Sequence, residues 1–231
     1  MFMSPDYSQI ELRFLANLSE DHAIVEAFLA DRDIHRETAA RIFGVEAETV
    51  NGGMRDQAKT INFATIYGQG PVALAGQLGI SRTQADEFIA NYFERFSGVR
   101  RSLDDMKEQA KERGYVETLL GSRRYIPEMR SRTQGVRGFG ERLATNSPIQ
   151  GTAADLLKIA MIHLHDRLAA GDTGARMLLQ VHDELLLEVP EARVEQAREI
   201  VREEMEGAIQ LDVPLKVDMG VGPSWYDSKG G

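Results

Sequence analysis

The chain has 231 residues, 42% of them hydrophobic, with a formal net charge of −9, so it has ample apolar material for one large domain or two small ones. It has no cysteine, which excludes disulfides and thiolate metal sites and fits a reducing, cytoplasmic setting. No apolar run reaches the ~18 residues of a membrane span, and the start carries no secretory pattern, so no membrane partner is expected.

The net charge argues against a nucleic-acid partner until its distribution is considered. Arg123, Arg124, Arg130, Arg132, Arg137 and Arg142 crowd a stretch whose acids are Glu128 and Glu141. The acidic excess lies largely after Asp183. A local basic surface on an acidic body is compatible with this balance.

In chain order, residues 1–6 read as a short strand ending in Asp6, and 10–18 as a helix with Ile10, Phe14 and Leu18 on one face. The run 19–21 caps a second helix that turns Ile24, Phe28 and Leu29 inward. A third helix opens at 33–35 and closes at Gly44. From 54 to 67, Arg55, Lys59, Phe63 and Tyr67 recur every four residues and form one slowly drifting stripe. Two cations a turn apart can meet a triphosphate, and the aromatics beyond them can stack on sugar and base. An exposed Arg–Lys face above an apolar helix end is the bland alternative.

The stretch 69–71 ends that helix, and Ser81 caps another whose apolar face runs Ala85, Phe88, Ile89, Tyr92, Phe93 and Phe96, read as ordinary core. Residues 98–113 are expected to form a charged, solvent-facing helix. The stretches 115–120 and 123–126 form a hairpin about Gly121 and Ser122. The segment 127–140, rich in Arg and Gly, is expected to be a mobile loop. Residues 144–151 should break one helix and start the next, which carries Ala153, Leu157, Met161, Leu164 and Leu168 on one face and ends at Gly171. A helix over 190–208 and a strand with Leu215, Val217, Met219 and Val221 alternating close the pattern, and Trp225 packs back onto the body.

The stretch 177–189 is the centre of the reading. Two apolar runs, 177–181 and 185–189, flank His182, Asp183 and Glu184 at the tip of a tight hairpin, with hydrophobic residues behind the carboxylates excluding water. Carboxylate oxygens are hard ligands suited to Mg²⁺. A further carboxylate has to come from elsewhere in the chain, and Asp6 at the end of the first strand supplies it.

Three stretches then carry a resemblance. Residues 6–13, Asp-Tyr-Ser-Gln-Ile-Glu-Leu-Arg, resemble motif A of the family A DNA polymerases. Residues 55–63 with Tyr67-Gly68 resemble motif B, and His182-Asp183-Glu184 resembles motif C. All three stand in the family's order. The resemblance implies an α+β fold: an antiparallel palm sheet from 1–23 and 141–231, with mainly helical fingers from 24–140. It also implies that the family's thumb and upstream palm lie before residue 1 and are absent here.

The function so implied is template-directed DNA synthesis, nucleotidyl transfer from a dNTP to a primer 3′-hydroxyl with two Mg²⁺ ions. Asp6 and Asp183 would be the metal ligands. Glu184, which strand alternation turns toward the other face, would support them, and Lys59 would donate a proton to the leaving group. Gln9, Glu11, His35, Arg55, Lys59, Phe63 and Tyr67 would bind the nucleotide, with Glu11 as the steric gate against a ribose 2′-hydroxyl and Phe63 against the sugar. Arg142, Asn146, Gln150 and His182 would hold primer–template DNA, the middle two being otherwise helix caps. His35 is equally readable as a helix-start histidine without a ligand. A silent fragment that binds nucleotide or DNA, or that needs the upstream region supplied in trans, is the other function class.

Overall fold

A computed structural model describes residues 1–229. Its contacts divide the chain into two compact units, Met1–Phe14 with Gly151–Gly231, and Leu15–Gln150. The fold is α+β, mostly helical with antiparallel sheet.

The first unit is built on a four-stranded sheet of order β4-β5-β1-β6, from β1 (Phe2–Tyr7), β4 (Arg176–Val181), β5 (Glu184–Glu188) and β6 (Val217–Gly222). All three pairings are antiparallel. β5 is the apolar heart: Leu185, Leu186 and Leu187 are buried. β4 differs from its expected role as a water-excluding wall. It is an edge strand with Leu178 and Leu179 44% and 49% exposed, and its register slips between Met177 and Leu179. Only one of the two apolar runs is therefore core.

Pro5 sits in an inner strand, where a missing N–H is normally costly. Its paired neighbour is Met219 of β6, while the ladder toward β5 pairs Met3 with Leu187 and Asp6 with Glu184 and skips the two residues between. The proline occupies that gap. Helix α9 (Val194–Glu206) buries Ala197, Ile200, Val201 and Met205, and the Tyr7 hydroxyl donates to the Met205 carbonyl at 2.7 Å, tying β1 to α9. A short α10 (Trp225–Ser228) packs against β1 and β6.

The second unit holds α2 (His22–Leu29), α3 (Ile34–Phe43), α4 (Gly52–Ile66), α5 (Pro71–Leu78), α6 (Arg82–Arg95), α7 (Ser97–Arg113) and the hairpin β2 (Tyr115–Glu117) with β3 (Arg123–Tyr125). Helix α1 (Ile10–Ser19) and the 37-residue α8 (Gln134–Ala170) each run from one unit into the other.

Capping residues set the boundaries as expected: Asp21, Asp33 and Ser81 accept from first-turn N–H groups, and Gly44 ends α3 at φ 64°. Helix α5 escaped the sequence reading because its Pro71 looks like a stop, whereas proline at the first helical position is a start. Leu29 is 60% exposed and not inward, since the last turn of α2 rotates it away from Ile24 and Phe28.

Helix α7 is not wholly solvent-facing. Gly98, Val99, Leu103, Met106 and Ala110 form a buried stripe through its charged surface. The expected loop 127–140 is instead a 3-10 turn (Pro127–Arg130) followed by the start of α8. Met129 is buried with Ala110, Val116, Ile126 and Ala144, which gives the segment a core to fold on.

The expected break at 144–151 is also absent. Pro148 lies inside α8, where it removes one hydrogen bond and crowds the preceding turn. Hydroxyls flanking it bond back along the helix, Ser147 Oγ to Leu143 O at 2.6 Å and Thr145 Oγ1 to Arg142 O at 3.2 Å. The turns on both sides carry the helix through. No helix among the described residues is long and apolar enough to cross a membrane.

Candidate active site

The acidic cluster forms in the first unit. β1 delivers Asp6 to the sheet end, and the β4–β5 turn, His182 and Asp183, brings the second carboxylate beside it. The Tyr7 N–H reaches the Asp183 carbonyl at 3.4 Å, closing the turn onto β1. His182 has φ 56°, a left-handed conformation that costs a non-glycine residue free energy. The Gln180 side chain donates to its carbonyl at 2.8 Å and helps hold it there.

Asp6 is exposed as a residue, yet its carboxyl is pushed up to about 6. Partial removal from water is the first cause and the charge of Asp183 the second, with Glu184 adding to both. A carboxyl whose proton affinity is raised by a neighbouring carboxylate marks a place where a divalent cation is favoured. Among the described residues no group of three or more His, Cys, Asp or Glu side chains is arranged to hold a metal. The donor set is these two carboxylates alone.

Glu184 corrects the alternation argument. Asp183 lies in the turn, outside the ladder, so alternation does not run through it. Glu184 is the direct partner of Asp6 across β1–β5 and shares its face of the sheet. It is 5% exposed and accepts from Ser4 Oγ, from Trp225 Nε1 at 2.7 Å and from Lys229 Nζ at 2.5 Å. Burial pushes its carboxyl up, but the bonds from Lys229, Ser4 and Trp225 outweigh that and hold it below the usual range.

Sequence reasoning missed Ser4 and Lys229. A serine two residues before Asp6 on the same strand face was the available signal. It also gave no role to Arg13, which is buried and donates to Ser8 O at 2.9 Å and Pro214 O at 2.6 Å. That arginine fixes the turn in which Gln9 stands at φ 53° with its Oε1 buried and unpaired. Glu11 is half-buried in the first turn of α1.

The second unit assembles the stripe. α4 begins at an Asn51 cap and places Arg55 and Phe63 half-buried and Lys59 exposed along one side. Phe63 and Tyr67 stack at 6.2 Å with an interplanar angle of 18°, and His35 of α3 lies 5.9 Å from the Phe63 ring. The inner side of α4 carries Ala58, Ile61, Ala64 and Ile66, all buried.

His35 is 2% exposed, and its Nδ1 meets Asn62 Nδ2 at 2.8 Å, with Thr38 Oγ1 3.0 Å from Asn62 Oδ1. Burial lowers its pKa to about 4; Asp33 pulls it up, and Arg55 and Lys59 push it further down. The imidazole is therefore neutral near pH 7. Arg142 and Gln150 are exposed and Asn146 half-buried, four residues apart on one side of α8. They are not caps, because the helix does not end there. Gly68, at φ 65°, brings the end of the stripe against this row: an added Cβ would lie 3.3 Å from Arg142 Cγ.

The model of DNA polymerase family A matches residues 1–227. The chain belongs to DNA polymerase family A. DNA polymerase I of Bacillus subtilis (strain 168) is 49% identical over 229 residues, which cover 99% of this chain and 26% of that protein. The thermostable DNA polymerase I of Thermus filiformis is 50% identical over 229 residues, 99% of this chain and 27% of its own. Among solved structures, the POL domain of Pol1 from M. smegmatis, in complex with DNA primer-template and dNTP, matches with a TM-score of 0.96 and 44% identity over 99% of this chain and 40% of that one. The family A chain thus spans about a quarter of the length of these curated relatives.

Proposed function

We propose that this family A chain carries the chemical core of template-directed DNA synthesis, transferring a nucleotidyl group from a dNTP to a primer 3′-hydroxyl. The observation that carries the reading is the Asp6–Asp183 pair, drawn from distant parts of the sequence to one end of the sheet with the Asp6 carboxyl pushed up to about 6. Asp6 and Asp183 are the residues that would hold two Mg²⁺ ions, whose chemistry when bound is to acidify the 3′-hydroxyl and neutralise charge on the leaving pyrophosphate. Glu184, held by its three donors, keeps the sheet face rigid and negative beside them.

Arg55 and Lys59 supply positive charge to the triphosphate, and the Lys59 ammonium can give a proton to the leaving group. Phe63 and Tyr67 offer flat apolar surface to the sugar and base, and Glu11 closes the space of a 2′-hydroxyl. His35 and Gln9 would complete the nucleotide site. Arg142, Asn146, Gln150 and His182 would face the primer–template, the donors among them meeting the acceptor that every base pair presents in the minor groove. In this reading the first unit is the palm and the second the fingers.

Primer extension by this chain with Mg²⁺, against a chelator control, is the test. Metal-dependent extension supports the reading. The chain spans about a quarter of its relatives' length, and in a second reading activity requires the family's other regions. Extension that appears only on adding those regions would select it.

A further inference from the structure

In the sequence Asp33 reads as no more than the opening of a helix, but the structure gives it two tasks. Its Oδ1 accepts from the backbone N–H groups of His35 and Arg36 at 3.0 and 3.3 Å, capping α3. Its Oδ2 accepts from Arg55 Nε at 2.6 Å. A carboxylate pinned by two backbone donors cannot swing to follow a long side chain, so the arginine conforms to it.

The choice of nitrogen matters. Nε is the stem nitrogen of the guanidinium, and binding it fixes the plane of the fork. The terminal nitrogens Nη1 and Nη2 take no partner among the described residues. Arg36, the other cation beside Asp33, is turned away, its Nη1 donating to Ala47 O and Val50 O at 3.1 and 2.8 Å.

We propose that Asp33 is a positioning residue for Arg55, holding the guanidinium by Nε so that both terminal nitrogens are presented to the phosphates of an incoming nucleotide. The inference rests on the nucleotide reading of the stripe given above. Arginine suits bidentate capture of phosphate because its fork is planar and fixed. A flexible four-bond stem loses that advantage unless something orients it before the ligand arrives. Burial alone would raise the Asp33 carboxyl, yet the bond from Arg55 and the two backbone donors keep it below the usual range, so it stays ionised at neutral pH.

The test is equilibrium dialysis of radiolabelled dATP against the full chain as wild type, D33N, D33A, R55A, R55K and D33N/R55A. Asparagine caps helices about as well as aspartate, so D33N should melt near wild type and D33A lower. We expect R55A to weaken dATP binding about tenfold and D33N about three- to tenfold. The double variant should bind no more weakly than R55A. R55K keeps a charge without an Nε–H, so it should lose as much as D33N while leaving the cap untouched.

Tighter or unchanged binding by D33N, with R55A weakened, would overturn the positioning role and make Asp33 a mere competitor for the cation. Fully additive losses in the double variant would overturn it too, since Asp33 would then act elsewhere. Unchanged binding by R55A would remove the nucleotide reading of the stripe itself.

Discussion

Asp6 lies directly opposite Glu184 across the β1–β5 ladder, and the same sheet face drives the two carboxyls in opposite directions. Glu184 is held low by Lys229, Ser4 and Trp225 once their bonds outweigh its burial. Asp6 is pushed up to about 6 by partial burial and by Asp183, with Lys229 only partly offsetting them. One carboxyl is satisfied by donors of the protein; the other stands among like charges.

The consequence for stability has a definite sign. Well below pH 3.8 Asp6 is protonated folded or unfolded; between the ordinary value of 3.8 and about 6 the folded chain keeps a proton the unfolded chain has lost. Stability from this group therefore falls as pH rises through that window and stays lower above it. Asp6→Asn should remove the loss and stabilise the metal-free chain at pH 8 by on the order of 1 kcal/mol, a figure discounted for solvent screening. Thermal melts at pH 4 and pH 8 in chelator measure it. Mg²⁺ should raise the wild-type melting temperature at pH 8 and leave Asp6→Asn unmoved, and the same variant should lose extension activity.

Glu184→Ala strands the Ser4 hydroxyl, the Trp225 indole N–H and Lys229 together. Ser4 is buried, and a stranded buried donor costs about 1–3 kcal/mol. Glu184→Gln keeps an acceptor and should cost about half as much. Urea unfolding of the two variants separates them, and equal losses would count against this account of Glu184.

Glu11 is a small test with a clear readout. Shortening it to Ala should raise ribonucleotide incorporation relative to deoxynucleotide by at least tenfold if its side chain fills the 2′ space. Competitive incorporation from mixed pools measures the ratio.

Phe63 stands one turn beyond Lys59, so its ring would lie beside the sugar of a nucleotide held on the two cations. Phe63→Tyr adds a hydroxyl that can replace the contact a missing 3′-hydroxyl forfeits. One such bond is worth about 0.5–1.5 kcal/mol, and at ~1.4 kcal/mol per tenfold that gives a several-fold gain in dideoxynucleotide use. Normal substrate use should change little. Competition between dideoxy and deoxy substrate in the two proteins measures it.

Where local chemistry decides a feature, the sequence was readable. Asp21, Asp33 and Ser81 announce helix starts because their side chains bond the first-turn N–H groups, and the stripe on α4 follows from its four-residue spacing. Features decided by distant partners were not. Nothing near Met129 says that Ala110 and Ile126 will bury it, and nothing near Leu178 says that β4 will stand at an edge. The face of Glu184 was misjudged for a related reason: a two-residue turn resets alternation, and only the register with Asp6 reveals where it resumes.

β4 has no strand on its outer side among the described residues, and it carries Leu178 and Leu179 at 44% and 49% exposure along that open row of backbone donors and acceptors. Such an edge is a template for adding another strand. The net charge of −9 opposes chain-on-chain contact, but charge repulsion fades as salt rises. Concentrated, high-salt stocks should therefore self-associate through this edge while dilute, low-salt ones stay dispersed. A lysine at position 178 would be the simplest way to keep the chain in solution.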